Sequence, residues 1–430
     1  MSALRSAQYT CSPVALYRQL EAWLKRFAQF AWLDSNQNPT DTLGEWAFRI
    51  GWRGDLAQIT TETELLKSDQ RALCFGTVGY EWLHTLEPIV PRPPAAFTPW
   101  PDIAFFRAEA WLDCARADFH PDQCTVTLHA AEPDALWAEL WQTVPETPVT
   151  QESVPQFRSN FTPETYQASV EQVRELIRLG DLYELNLTQR YGAQDVQLHA
   201  PLALWRRLQA LSPMPMGAVL RCGERWLLGA SPERFLMGDA AGQLWSQPIK
   251  GTLPRLADPA ADAAQAQLLQ TSEKQRAENV MIVDLVRNDL HRVCVPGSVQ
   301  VPALFAVHSL PRVHQLVSTV TGVLEPPHTA MDALRAAFPP GSMTGAPKVR
   351  AMQRIAELEG EGRGIYSGAV GWWQPGAGFD LAVVIRSLVY DAAAQRLSYH
   401  VGGAITWDSD PAEEYAESEL KAGAIRELWG

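Results

Sequence analysis

The chain has 430 residues, 46% of them hydrophobic, enough to bury a large core in one or several domains. A formal net charge of −13 argues against nucleic-acid partners, and no apolar run reaches the ~18 residues that cross a bilayer, so neither nucleic acid nor membrane is expected. Six cysteines without CxxC spacing, and a start Met1-Ser2-Ala3-Leu4-Arg5 without a signal peptide's basic-then-apolar layout, predict a cytoplasmic protein with reduced thiols and no zinc site.

In chain order, residues 1–150 alternate in short segments such as Arg71–Gly76 and Cys124–His129, which predict antiparallel strands separated by proline-rich turns such as Pro91–Pro94. Phe30–Ser35 predicts a core strand ending in a turn. A polar, proline-bearing linker is expected from Glu146 to Phe161. Thr162-Pro163-Glu164-Thr165 then opens a helix that stops at Gly180-Asp181, because Thr162 can cap free amides and Pro163 suits the first turn. A strand follows at Tyr183–Arg190. Sheet returns at Gly217–Leu220, Arg225–Gly229 and Gln243–Ser246, interrupted at Ala230–Phe235 by a turn that carries Glu233.

Gln247–Arg255 is expected as a loop in which Lys250 precedes a Gly251-Thr252 turn and points its ammonium sideways. Alone, such a lysine is a solvated strand-end residue; in a cleft it is a nucleophile. Ser272–Gln275 has the form of a capping box, and the helix it opens carries Glu278. His314–Val320 predicts a strand, and a Gly/Pro-rich loop at Phe338–Lys348 precedes a helix at Val349–Leu358. Three strands are expected at Gly368–Trp373, Leu381–Arg386 and Leu397–Val401, followed by Gly402-Gly403-Ala404 with amides free to bind an anion. In the last helix Glu414, Glu417 and Lys421 share a face. With Glu278 opposite, two helices would each offer a carboxylate, which suits Mg²⁺.

Five segments in this order carry a resemblance: Ser231–Phe235, Pro248–Thr252, Glu278–Asp289, Gly341–Lys348 and Gly402–Ile405. They resemble the chorismate-utilising enzymes, strongly over residues 160–430 and weakly over 1–150. That family includes anthranilate, aminodeoxychorismate, isochorismate and salicylate synthases. The resemblance implies an α+β fold, with two antiparallel β-sheets packed face to face, helices outside, and the N-terminal and C-terminal parts interleaved. Lys250 stands where anthranilate synthases have alanine, and it implies the aminodeoxychorismate synthase branch. There the lysine attacks C2 of chorismate, the C4 hydroxyl leaves, and ammonia then adds at C4. By position Glu233 resembles the general acid, Glu278 and Glu417 the magnesium ligands with Glu414 behind them, and Tyr366, Arg386, Gly402, Gly403, Ala404 and Lys421 the groups that hold substrate carboxylates. Thr344 matches a contact to the substrate ring.

Three departures bear on these expectations. Glu184 stands where isochorismate and salicylate synthases have a water-activating lysine and amine-using members usually glutamine, which argues against water as the nucleophile. Gln315 replaces the usual histidine and is expected to contact substrate as an amide, His314 being a poor substitute on the opposite strand face. Gln275 replaces a common acidic residue and implies a modestly weaker magnesium site. No glutaminase elbow occurs in these residues, so ammonia is expected from a separate glutamine amidotransferase subunit, and the lyase that makes 4-aminobenzoate is expected to be absent. The alternative is anthranilate synthase component I, which would form anthranilate directly. The segment Leu33-Asp34-Ser35 loosely resembles the place where family members hold tryptophan.

Overall fold

Strict alternation along the strand Cys124–Ala130 buries Cys124, Val126, Leu128 and Ala130 and leaves Thr125, Thr127 and His129 half-buried. Patterns of this kind build two antiparallel sheets in the computed structural model, which describes residues 4–39, 41, 43–67, 72–145 and 154–429. Of the expected segments, Met1–Ala3, Arg71 and linker positions 146–153 lie outside the described residues.

Among the described residues the larger sheet has twelve strands, one of which, Arg158–Ser159, lies off the main path beside Glu184–Ala193. From one edge its path runs Arg5–Cys11, Cys124–Ala130, Ala110–Ala115, Trp46–Arg53, Gln29–Asp34, Met216–Cys222, Arg225–Ser231, Ser387–Asp391, Arg396–Ile405, Glu184–Ala193 and Gly345–Ala346. The smaller sheet, nine-stranded among the described residues, runs Ile249–Pro254, Val313–Val323, Gln243–Ser246, Arg234–Asp239, Gly378–Val383, Ala369–Gln374, Cys74–Val78 and Ile103–Arg107, with Gln300–Ser309 off this path beside Val313–Val323. Both sheets take strands from each half of the chain. Gly217–Cys222 pairs with Gln29–Asp34, and Ala369–Trp373 with Cys74–Val78.

The sheets meet in an apolar layer, with Ala31, Leu220, Leu227 and Val389 from the larger against Phe75, Phe106, Val370 and Ala382 from the smaller. Helices cover the outer faces. Pro13–Leu24 and Pro201–Leu211 pack on the larger sheet, and Glu273–His291 and Ala330–Ala337 on the smaller. The helix Pro163–Arg178 forms as expected, with Thr162 accepting from the Thr165 amide. It buries Tyr166, Val170 and Val173, whose spacing puts them on one face, each contributing roughly 1.5–3 kcal/mol of burial. The expected fold class, α+β with two antiparallel sheets face to face and helices outside, is the one observed.

Local expectations fared unevenly. Gln247–Arg255 contains an edge strand, Ile249–Pro254, where a loop was expected. The segment Leu381–Arg386 leaves its strand at Val383. Gly402–Ala404 continue the strand Arg396–Ile405, pairing with Asn186–Thr188. Ser272 caps its helix by accepting from the Gln275 amide, but the Gln275 side chain lies against Gly251, where an added Cβ would meet Oε1 at 2.6 Å. All six cysteines are free thiols, and among the described residues no helix is long and apolar enough to cross a membrane.

Candidate active site

The chain crosses between the sheets at Pro232-Glu233 and again at Val384–Arg386. These crossings lie side by side, because the Val383 amide donates to the Glu233 carbonyl at 3.0 Å and the Ala230 amide to the Arg386 carbonyl at 3.1 Å. Each crossing carries a charged residue outside the strand ladders, Glu233 in the first and Arg386 in the second. Beyond Ser398 the strand Arg396–Ile405 loses its Ser387–Asp391 neighbour and keeps only Glu184–Ala193 beside it.

Glu233 is 5% exposed, and its Oε1 accepts from Ser342 Oγ at 2.6 Å. Burial pushes its carboxyl up to about 7, against the opposing pull of that hydrogen bond and of Lys250. Ser342, in the loop Gly341–Met343, passed unnoticed in the sequence although it sits two residues before Thr344; a hydroxyl inside a Gly/Pro-rich loop was the available signal.

Lys250 sits at a β-bulge. The register of its strand against Val313–Val323 shifts between Ile249 and Thr252, and Gly251 takes φ +90°. A bulge adds an unpaired residue and re-aims a side chain, which a plain strand could not do. Lys250 is 8% exposed, and its Nζ lies 3.4 Å from Glu184 Oε1.

The carboxylates of the two helices share this field. Burial raises Glu278, with Glu184 and Glu414 adding to the shift and Lys250 and Lys274 opposing it. Burial also raises Glu414, although Ser409 Oγ donates to its Oε1 at 2.7 Å. Partial burial works against Glu417, yet Lys421, Lys274 and Lys250 hold its carboxyl below the usual range. Among the described residues no three His, Cys, Asp or Glu side chains stand close enough to ligate one ion as they lie. The donor set nevertheless fits magnesium. Its oxygens are hard, two of the three carboxyls are raised, and magnesium needs only one or two protein carboxylates once substrate and water complete its shell.

Arg386 takes φ +50° and reaches Met214 Sδ at 3.4 Å. Burial lowers its guanidinium to about 10, and no carboxylate pairs with it among the described residues. A half-buried guanidinium without a counter-ion is suited to an arriving carboxylate. Tyr366 is buried and stacks on His400 with ring centroids 4.6 Å apart. Thr344 is fully buried, its carbonyl accepting from the Asn186 amide at 2.8 Å. Arg363, unremarked in the sequence, binds the Met343 and Asn186 carbonyls and Glu359, fixing that loop to the strand Glu184–Ala193.

Three expected contacts are placed differently. Gly402 and Ala404 lie in a ladder, so only alternate amides of Gly402-Gly403-Ala404 face the open edge, not all three. Gly402 is glycine because a Cβ would meet the Leu187 carbonyl at 2.1 Å, whereas a Cβ on Gly403 would face Glu414 Oε2 at 3.3 Å. Lys421 is engaged, with Nζ 2.8 Å from Glu417 Oε1 and donating to the Gly402 carbonyl at 2.8 Å. Gln315 is not brought to the cluster. It shares a strand face with Val317 and Ile249, opposite to Lys250, and lines a small cavity with Asp41, Arg234 and His308. His314 is likewise occupied, by Asp262 at 3.0 Å and Ser309 at 2.9 Å.

A family model described as chorismate binding enzyme matches residues 26–427. Among curated relatives, "Aminodeoxychorismate synthase" of Streptomyces griseus is 43% identical over 327 residues, covering 76% of this chain and 42% of that protein. "Aminodeoxychorismate synthase component 1" of Salmonella typhimurium is 40% identical over 354 residues, 81% of this chain and 75% of that one. The chain thus spans less than half the length of the first and three quarters of the second. A solved structure of anthranilate synthase component I from Streptococcus pneumoniae superposes with a TM-score of 0.73 at 28% identity, covering 99% of this chain and 93% of that one.

Proposed function

This chain belongs to the chorismate binding enzyme family, and we propose that it aminates chorismate, with ammonia replacing the C4 hydroxyl to give 4-amino-4-deoxychorismate. The observation that carries this is a buried Lys250 whose charge reaches the buried Glu233, a carboxyl that burial pushes up to about 7. Lys250 Nζ attacks C2, the ring double bonds shift, and the C4 oxygen leaves as water with the Glu233 proton. Ammonia then adds at C4 while the lysine departs from C2, so one hard displacement becomes two easier ones.

Arg386, lacking a counter-ion, takes a substrate carboxylate in this scheme, and Tyr366, Thr344 and the open-edge amides of Gly402–Ala404 line the rest of the site. Glu278 and Glu417, with Glu414 behind them, would hold magnesium, which when bound supplies positive charge for a substrate carboxylate. Ammonia comes from a separate glutamine amidotransferase subunit, a reading that the "component 1" in the Salmonella relative's name supports. Aminodeoxychorismate belongs to the route to 4-aminobenzoate and folate.

The second reading, anthranilate synthase component I, has the Streptococcus likeness in its favour. Lys250 speaks against it. Incubation with chorismate, Mg²⁺ and ammonium, with the product identified by mass spectrometry, should give 4-amino-4-deoxychorismate; anthranilate fluorescence without added lyase overturns the assignment. Lys250→Ala should lower the ammonia-dependent rate at least about a hundredfold. Unchanged turnover would show that no obligatory adduct forms.

A further inference from the structure

Glu184 is a charged side chain to which the scheme above gives no task. It stands on the strand Glu184–Ala193, opposite Ala346, and is 1% exposed. Its two oxygens differ. Oε1 faces Lys250 Nζ at 3.4 Å, whereas Oε2 is shielded from solvent and accepts no hydrogen bond among the described residues. A buried carboxylate oxygen without a donor is costly, so it calls for a partner that the folded chain does not supply. That partner is small, since the oxygen is closed off, and it carries N–H or O–H groups. One carboxylate therefore holds the reactive amine with one oxygen and keeps the other for a small donor.

We propose that Glu184 docks the incoming ammonia on Oε2 and relays a proton between that nitrogen and Lys250. The proposal rests on the amination reading. An amine attacks only through a free electron pair, so a proton held there must leave Lys250 Nζ before the C2 bond forms. A carboxylate alone is far too weak a base to keep that proton, whereas ammonia is a base of the same class as the lysine.

In the first half-reaction Glu184 takes a proton from Lys250 on Oε1, its carboxyl turns so that this same proton faces ammonia, and the transfer gives ammonium. The freed Nζ pair bonds to C2, and the hydroxyl leaves as water with the Glu233 proton. In the second half-reaction the ammonium gives a proton back to Glu184, and the ammonia pair bonds to C4. Nζ leaves with its C2 bond pair and takes the relayed proton, restoring the lysine ammonium, while the product carries an alkylammonium at C4. Glu233 regains its proton from water.

The test uses the whole chain with ammonium chloride as the nitrogen source and compares wild type with Glu184→Gln, which keeps the shape and removes the charge. The relay predicts kcat lower by about 10²-fold and KM for ammonium raised about tenfold, with KM for chorismate changed by less than about twofold. Glu184→Asp, which retains the carboxylate on a shorter arm, should fall between the two and carries the test if the amide variant melts early. A merely structural partner of Lys250 would move the chorismate KM and leave the ammonium KM alone; that result, or a Glu184→Gln enzyme with wild-type kcat and ammonium KM, overturns the relay. If wild type itself forms no 4-amino-4-deoxychorismate, the amination reading fails and the relay falls with it. If wild type forms product and only the Glu184 predictions miss, the relay alone is wrong.

Discussion

Whether Glu233 carries a proton decides two properties at once. Its carboxyl ordinarily titrates at 4.5 and in the fold near 7, chiefly because burial disfavours the anion. The folded state therefore binds this proton more tightly than the unfolded one. The resulting stabilisation is fully present below pH 4.5 and is lost as pH rises through about 7. Glu233→Gln, neutral at every pH, should consequently gain stability relative to wild type across that window, by up to about 3 kcal/mol. Urea denaturation of both proteins at pH 4.5, 6 and 8 measures the difference. Wild-type activity should fall through the same pH window, since the general acid is the protonated form. kcat/KM of wild type should fall about tenfold per pH unit above roughly 7, and Glu233→Gln should be nearly inactive throughout. A stability difference that does not grow with pH would mean that Glu233 is not protonated in the fold.

One element, the bulged strand Ile249–Pro254, determines where the lysine points. Gly251 at φ +90° is a conformation that other residues rarely adopt, and a Cβ there would meet Gln275 Oε1 at 2.6 Å and Leu269 at 3.1 Å. Gly251→Ala should cost roughly 1–3 kcal/mol of stability and, by shifting Lys250, at least about tenfold in kcat. Thermal melting together with ammonia-dependent turnover checks both, and a wild-type rate in a stable variant would show that the bulge does not aim the lysine. This element also shows what sequence reveals and what it conceals. Lys250, Glu233 and Glu278 were legible because their flanking motifs are local, and Glu417 because helical spacing sets it on one face with Glu414 and Lys421. The strand itself was not, because Gly251 and Pro254 look like a turn and its partner, Val313–Val323, lies some sixty residues on. Gly402–Ala404 misled in the same way, since glycine signals close approach but not whether a ligand or the backbone of Leu187 does the approaching. Gln315 was legible as a substitution and not as an orientation, because the strand face it occupies depends on register. The Glu184–Lys250 contact joins residues sixty-six positions apart and left no local trace.

Across the whole molecule, both halves of the chain contribute strands to both sheets. We propose that the regions 1–150 and 160–430 fold together. Arg234, one residue after Glu233, fastens them. Its guanidinium is buried between Asp41 of the N-terminal region, at 2.8 Å, and Asp380 of the strand Gly378–Val383, at 2.9 Å, with Gln247 Oε1 at 2.7 Å. Removing a buried ion partner leaves uncompensated carboxylates and typically costs 3–5 kcal/mol. Arg234→Met should therefore lower the denaturation midpoint by about that much, although methionine fills much of the volume and Arg234 itself reaches no group assigned to the reaction. Chains of this size commonly unfold in stages, so the mode of unfolding is the sharper test. Circular dichroism at 222 nm samples every helix, whereas intrinsic fluorescence is weighted to the tryptophan-rich N-terminal region, and the two should trace one transition in urea. In Arg234→Met that transition should move to lower denaturant and stay single. Two separated transitions in wild type, with fluorescence changing first, would mean that the N-terminal region is an independent domain packed on a self-sufficient catalytic one. The strand pairing between Gln29–Asp34 and Gly217–Cys222 would then be an interface between domains, and Glu233 and Arg386 would keep their positions without it.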